Sequence, residues 1–201
     1  MSGTEPTPRR GAERRALFVG AAERLMAEGG TAALSARALA AEAGMSLGAA
    51  YHLFRDLEAL VVEVNARTFD RLAEALAAVP VTGEPEGDLV ALADAYLAFV
   101  SANPRLWDAV FVLPIRGPDD NPNAPRVERM LRALDAALLP ALPDDPDAAR
   151  RSARILWGAV HGLVSLSVTG RMGTVGVADL RAGLRHLVAC HLAGLRAGAG
   201  R

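Results

Sequence analysis

The sequence predicts an all-α fold on three observations. Apolar residues recur three or four positions apart along most of the 201 residues, which is the spacing of one face of a helix. No stretch alternates with period two for more than a few residues, so strands are not indicated. Aromatic residues make up only 4% of a chain that is 51% hydrophobic and rich in alanine and leucine. Such a composition favours a core of packed helices.

The charge balance excludes a polycation, because the formal net charge is −1. All basic residues are arginines, which we interpret as coding bias. Binding to nucleic acid would therefore require a local basic patch. The lone Cys190 excludes a disulfide within the chain and is typical of a reducing compartment. Without a signal-type apolar segment or a membrane-length apolar run, we expect a cytoplasmic protein.

The amino-terminal residues 1–11 are predicted to form a disordered basic arm, followed by a first helix that runs to about Glu28. Gly29 and Gly30 end this helix. Arg14 lies near its start, where basic residues can contact phosphates or a minor groove. A solvated, frayed terminus explains the same arginines. The buried stripe of the helix comprises Phe18, Ala21, Ala22, Leu25 and Met26.

Two short helical patterns meet at a compact break after Ala43. Ser35 is placed to cap the first helix, and Ser46 to cap the second. Gly44 supplies the backbone freedom to end the first helix. Two helices joined by a tight glycine-containing turn are the layout of a helix-turn-helix, whose second helix enters the major groove of DNA. An ordinary corner between two helices fits the spacing alone.

The residues of this segment resemble the DNA-binding signature of the tetracycline repressor (TetR) family of bacterial transcription regulators. The resemblance implies a three-helix DNA-binding head at residues 12–72 and a helical ligand-binding and dimerisation bundle at residues 73–201. It rests on Ser35-Ala-Arg37, Leu39-Ala40, Ala43-Gly44-Met45-Ser46, Gly48 and Tyr51-His52-Leu53-Phe54.

The candidate DNA contacts follow from the same resemblance. A serine hydroxyl and the free amides of a helix start suit a phosphate, and a glycine allows close approach of the backbone. Leu47, Ala49 and Leu57 stand where the family often has polar residues, so contacts to phosphate are lost there. Leu47 and Ala49 remain suited to a thymine methyl. The candidates are Arg14, Ser35, Arg37, Ser46, Leu47, Gly48, Ala49, Tyr51 and His52, with packing against the first helix as the alternative for Tyr51.

A long helix is predicted from Asp56 to about Val79, and a breaker-rich segment from Pro80 to Glu86 follows it. We place the junction with the second domain at this segment or slightly earlier, within the long helix. Asn103-Pro104 is a strong start signal for a short helix. The Asp119-Asp120 loop lacks calcium-loop spacing and reads as solvated. The remaining helices are predicted at about 87–102, 104–113, 125–139, 147–169 and 177–197.

Aromatic residues with a few polar tips in the second domain predict a pocket for a small, largely apolar effector. Each of them is also an ordinary core residue, His161 included. Trp157-Gly158 and His161-Gly162 resemble the Trp-His-Gly type of ligand-binding domain. The candidates are Tyr96, Phe99, Trp107, Phe111, Trp157, His161 and Ser165.

Small residues one turn apart in the last two helices, Gly158 with Gly162 and Cys190 with Gly194, allow close helix packing. The family resemblance implies that these helices form a homodimer interface, and packing within one monomer is the alternative. No nucleophile elbow, dinucleotide motif or zinc spacing is found. We therefore expect no enzyme activity, no metal and no cofactor.

These observations predict a DNA-binding transcriptional regulator, a repressor released from its operator by a small-molecule ligand. The alternative is a helical protein-interaction module whose degenerate helix-turn-helix no longer binds DNA. The polar residues that the family often has are absent at Leu47, Ala49 and Leu57. Their absence and the near-neutral net charge favour that alternative.

Overall fold

The fold is all-α, as the sequence predicts. The computed structural model describes residues 8–53, 57–112, 121–169 and 179–199, and no strand occurs among them. The helices are α1 (Pro8–Gly29), α2 (Ala36–Glu42), α3 (Leu47–Leu53), α4 (Leu57–Ala77), α5 (Pro85–Ala102), α6 (Pro104–Ala109), α7 (Ala124–Leu138), α8 (Pro146–Thr169) and α9 (Leu180–Ala199), with 3₁₀ turns at Thr31–Ala33 and Leu139–Ala141.

Several helix starts differ from the sequence expectation by a few residues, and proline explains two of them. Helix α1 begins at Pro8 and α5 at Pro85. Proline suits the first turn of a helix, because it lacks the N–H group that would have no acceptor within the helix there. Residues 8–11, which we assigned to the disordered arm, therefore belong to α1. Helix α6 ends at Ala109 rather than at Leu113, and the chain continues in turns with short-range bonds such as Val110 N–H to the Trp107 carbonyl (3.2 Å).

The first compact unit comprises Met1–Thr68 and Arg105–Asn123. Its main hydrophobic cluster contains Phe18 and Met26 among aliphatic side chains, and it gathers residues from α1, α2, α3, α4 and α6. The Arg105 guanidinium donates to the backbone carbonyl of Glu28, at the carboxyl end of α1, where free carbonyls attract a cation. Asn65 in α4 donates to the Ala109 carbonyl at 3.2 Å. Helix α6 is thereby held to this unit by packing and by polar contacts.

The second compact unit comprises Phe69–Pro104 and Ala124–Arg201. Helices α5, α7, α8 and α9 pack against one another in it. The division falls within α4, four residues before the boundary that the sequence suggested, and residues 105–123 pack with the first unit. The functional division into residues 12–72 and 73–201 stays a prediction.

A buried carboxylate fixes the start of α5. Both carboxylate oxygens of Asp88 accept from the Thr82 N–H at 3.0 Å, and one also accepts from the Gly83 N–H. Gly83 has a positive φ of 90°, a conformation that glycine adopts without strain. The Thr82 N–H, more than any other contact, lowers the pKa of Asp88, although burial opposes the shift.

Within the described ranges, none of the helices has the length and apolarity needed to cross a bilayer.

Candidate functional site

The turn between α2 and α3 has the geometry that its sequence predicts. The Ser35 Oγ accepts from the Ala38 N–H at 3.1 Å and caps α2. Gly44 has a φ of 62°, in the left-handed region where a side chain would be strained. The Met45 N–H donates to the Ala40 carbonyl at 2.8 Å and closes the end of α2.

Helix α3 has one packed side and one open side. The Ser46 Oγ accepts from the Ala49 N–H at 3.3 Å and caps its amino end. Ala50 is buried in the core of the first unit. Tyr51, by contrast, is 61% exposed, and Leu47 and Gly48 are exposed as well. Among the described side chains of α3, the open side therefore presents the Tyr51 phenol beside small and apolar groups.

Tyr51 does not pack into the first unit, so the structure favours the open position over the packed alternative for this residue. Ala49 is half-buried, and the side chain of His52 lies outside the described residues. Exposed positions are found for Arg14, Ser35, Arg37, Ser46, Leu47, Gly48 and Tyr51. The side chains at these positions are accessible, and their contact with DNA stays a prediction.

Two arginines of the head differ from the others. Arg15 pairs with Glu63, Arg24 pairs with Glu42, and Arg67 lies 3.2 Å from Glu23. Arg14 and Arg37 are exposed and form no ion pair with any side chain in the described part of the chain. Among the described residues of the head, a phosphate can therefore approach these two cations without breaking an existing ion pair.

Four of the predicted effector residues form one polar–aromatic cluster in the second unit. The Tyr96 hydroxyl lies 2.7 Å from His161 Nδ1, and the Ser165 hydroxyl lies 3.2 Å from the same nitrogen. The Trp157 ring stacks on His161 with centroids 5.9 Å apart and meets Tyr96 edge-on at 4.7 Å. Burial lowers the pKa of His161, which favours a neutral imidazole.

Trp107 and Phe111 belong to the first unit, whereas Tyr96, Phe99, Trp157, His161 and Ser165 belong to the second. Trp107 is only 3% exposed and meets Phe111 edge-on, with centroids 5.4 Å apart. Phe111 is 56% exposed, against our expectation of a pocket-lining residue, because α6 ends at Ala109 and residues 110–112 form turns.

A small cavity lies inside the second unit, beside this cluster. Its volume is about 20 Å³, close to the size of one water molecule. Tyr96 and Trp157 line it, as the sequence suggested. The other walls are aliphatic residues that were not among the effector candidates, and their helical spacing was the available signal: Leu76, Leu89, Leu92, Ala93, Leu134, Leu156, Val160 and Val188.

Three glycines of α8 and α9 have open space around them within the described part of the chain. A Cβ added to Gly158, Gly162 or Gly194 would meet nothing within 4 Å. Ile155, one turn before Gly158–Ala159, is 66% exposed. Contacts among the described residues therefore do not account for these three glycines.

Two parts of the chain match known protein families. Residues 18–64 match the bacterial regulatory proteins of the tetR family, and residues 89–191 match the tetracyclin repressor-like C-terminal domain. The chain belongs to the TetR family. In this TetR-family chain the DNA-binding match precedes the C-terminal match, which is the order that the sequence predicts. The C-terminal match includes Trp157 and His161.

One relative is similar to this chain in sequence, and two solved structures are similar to it in fold. An uncharacterized HTH-type transcriptional regulator of Mycobacterium tuberculosis is 28% identical over 142 residues, which span 71% of this chain and 64% of that protein. A tetR-family transcriptional regulator from Streptomyces coelicolor matches with a TM-score of 0.68 at 22% identity, covering 92% of this chain and 81% of that one. A TetR transcriptional regulator from Rhodococcus sp. RHA1 matches with a TM-score of 0.64 at 20% identity, covering 90% and 97%.

Proposed function

We propose that this protein is a dimeric transcriptional regulator that binds an operator in double-stranded DNA and is released by a small-molecule effector, acting as a repressor. The open side of α3, with a capped amino end and Tyr51 exposed, is the observation that carries the proposal. Arg14 and Arg37 supply unpaired cations on the same unit. This local basicity suits a chain of net charge −1, because phosphate contacts act over short distances in salt.

The proposed dimer uses the outer faces of α8 and α9, where the glycines without neighbours allow two helices to approach closely. Two heads then read half-sites about 34–36 Å apart, one turn of DNA. An effector that prefers a different head spacing weakens DNA binding by its differential affinity for the two shapes.

The proposed effector site is the cavity beside Tyr96 and Trp157. Its walls favour an apolar ligand, and the Tyr96–His161–Ser165 hydrogen bonds supply polar partners at its edge. Because the cavity holds about one water molecule, we expect ligand entry to move the surrounding helices apart.

A gel-shift assay with the DNA upstream of the protein's own gene tests this proposal. We expect a shift at low salt that Tyr51→Ala weakens and that the effector abolishes. Absence of any shift at low salt contradicts the proposal.

The second candidate is a protein-interaction module with a helix-turn-helix that no longer binds DNA. The exposed apolar side chain of Leu47 at the start of α3 favours it. Under this alternative, Tyr51→Ala leaves partner binding in place and no DNA fragment is retained.

A further inference from the structure

A surface groove lies within the second unit, between the carboxyl end of α4 and the middle of α7. Its volume is about 380 Å³, within the range of about 300–1,000 Å³ that small-molecule sites occupy. The cavity beside Tyr96 has a volume of only about 20 Å³. Leu76 lines both spaces, and they share no other described residue. The groove is therefore a separate space, with room for a small molecule while the helices stay in place.

Small side chains leave this groove open. Ala73 and Ala77 line it from α4, and Ala133 lines it from α7. Alanines fill less of the space between two helices than leucines would, so a gap remains where larger side chains would pack closely. Val79 and Val81, in the segment after α4, extend the apolar wall.

The segment that carries Val81 is held by hydrogen bonds. The Asp88 carboxylate accepts from the Thr82 and Gly83 N–H groups at 3.0 Å, and the Thr82 hydroxyl donates to it at 2.8 Å. Val81 itself is 48% exposed. A ligand that packs against an already ordered wall loses little free energy to ordering it.

The α7 side of the groove carries an excess of positive charge. Arg129 pairs with Asp70, and Arg126 lies 3.1 Å from the same carboxylate, so two guanidinium groups share one negative charge. Arg132, three residues after Arg129, is exposed and forms no ion pair within the described ranges. Its planar set of N–H donors is therefore available to a carboxylate, to which it can donate two parallel hydrogen bonds.

Glu74 places a negative charge on the α4 side of the groove. It is exposed and forms no ion pair among the residues that the structure describes. A ligand carboxylate is therefore repelled from α4 and attracted to α7. The two charges orient such a ligand with its anionic end at Arg132 and its apolar part against the alanines and valines.

We propose that this groove binds a small molecule with an apolar chain and a terminal carboxylate. Arg132 binds the carboxylate, and Ala73, Ala77 and Val81 cover the chain. The site goes beyond the proposed function, because it depends neither on DNA nor on a dimer. It is also distinct from the cavity beside Tyr96.

Isothermal titration calorimetry of the full chain tests the site with three probes of equal chain length: octanoate, octanol and octylamine. We expect octanoate to bind more tightly than the other two, because it alone carries a carboxylate. Arg132→Gln should weaken octanoate binding by about tenfold, the effect of losing a hydrogen bond between charged groups. Arg150→Gln, at an exposed arginine that does not line the groove, should leave the affinity unchanged.

A second pair of variants tests the apolar wall. Ala77→Leu adds a larger side chain to the groove at an exposed position, so it should abolish octanoate binding while thermal stability is retained. Ala78→Leu, at the next exposed residue, which does not line the groove, should bind octanoate as the unmodified protein does.

The contrary results are equally specific. Octanol or octylamine binding as tightly as octanoate overturns the carboxylate assignment, and so does unchanged affinity in Arg132→Gln. Octanoate binding that Ala77→Leu leaves intact places the ligand elsewhere and overturns the groove site, as does the absence of octanoate binding. None of these results changes the gel shift, so failure of this site is distinguishable from failure of the proposed function.

Discussion

The arginines of the head divide by their partners, and this division predicts which of them act on DNA. Arg37 lies on the exposed side of α2 and forms no ion pair within the described ranges. Arg24, on the same unit, already pairs with Glu42. A phosphate therefore competes for Arg24 with an existing carboxylate, whereas Arg37 is available.

We expect Arg37→Ala to weaken binding to all DNA sequences alike and to reduce the slope of log affinity against log salt by about 1, the share of one phosphate contact. Fluorescence anisotropy at several salt concentrations measures the slope. Arg132→Ala, an exposed arginine of the second unit, is the matched control and should leave it unchanged. An unaltered slope in Arg37→Ala would show that this residue does not contact phosphate.

Tyr96 lines the cavity and is almost completely buried. Tyr96→Phe removes its 2.7 Å contact with His161 and should lower the free energy of unfolding by about 1 kcal/mol, the net value of one hydrogen bond. Urea denaturation measures the change. Tyr51→Phe, at an exposed position, should have no such effect, and equal losses in the two variants would contradict the assignment.

Two histidines predict how stability depends on pH. Burial lowers the pKa of His161 and of His191 below the ordinary 6.5. As the pH falls through that value, these two histidines bind protons in the unfolded chain more readily than in the folded chain. The free energy of unfolding therefore decreases. Denaturation between pH about 7.5 and about 5.5 should show this decrease. The double variant His161→Gln/His191→Gln should flatten it, and an unchanged pH dependence would refute the explanation.

At the scale of elements, two glycines in one motif have opposite expected roles. Gly44 has a φ of 62°, so Gly44→Ala should destabilise the head by about 1–2 kcal/mol. Gly48 lies in α3, where a Cβ meets nothing within 4 Å. Gly48→Ala should stabilise the head by about 0.5 kcal/mol and still weaken DNA binding, because the added methyl prevents close approach. Thermal melts and anisotropy measure the two effects, and stronger DNA binding by Gly48→Ala would contradict the predicted contact.

The starts of helices that are fixed by a capping side chain were predictable from the sequence. Ser35 and Ser46 cap their helices, and Asp145 accepts from the Ala148 N–H at 2.8 Å at the start of α8. A cap needs only its own side chain and the next turn, so neighbouring residues suffice to predict it. The extent of α6 was not predictable in this way, because Val110 and Phe111 continue the three-to-four-residue apolar spacing from Trp107 while residues 110–112 form turns.

The site was less predictable, because long-range packing decides which aromatic residues meet. Tyr96 and Trp157 do line one cavity. Trp107 belongs to the other compact unit, and nothing in its local sequence distinguishes it from them. The aliphatic walls share their spacing with every other buried stripe, so periodicity alone could not single them out.

For the whole molecule, the proposed dimer gives a direct prediction. Gly158→Glu adds a charged side chain where one chain has open space, so the protomer should fold normally. In a dimer through α8 the same carboxylate would be buried without a partner, so the variant should be monomeric by light scattering and bind DNA weakly. Gly87→Glu, at another exposed glycine with open space around it, is the control and should remain dimeric. A dimeric Gly158→Glu protein would place the interface elsewhere.

The near absence of empty volume beside Tyr96 has a consequence for the timing of the proposed response. A core this well filled sacrifices little cohesion while no effector is present, so the vacant regulator should be long-lived. Binding of any effector requires the surrounding side chains to move apart, which lowers the net free energy of binding. The size of a molecule, as well as its polarity, will therefore decide whether it releases the protein from DNA.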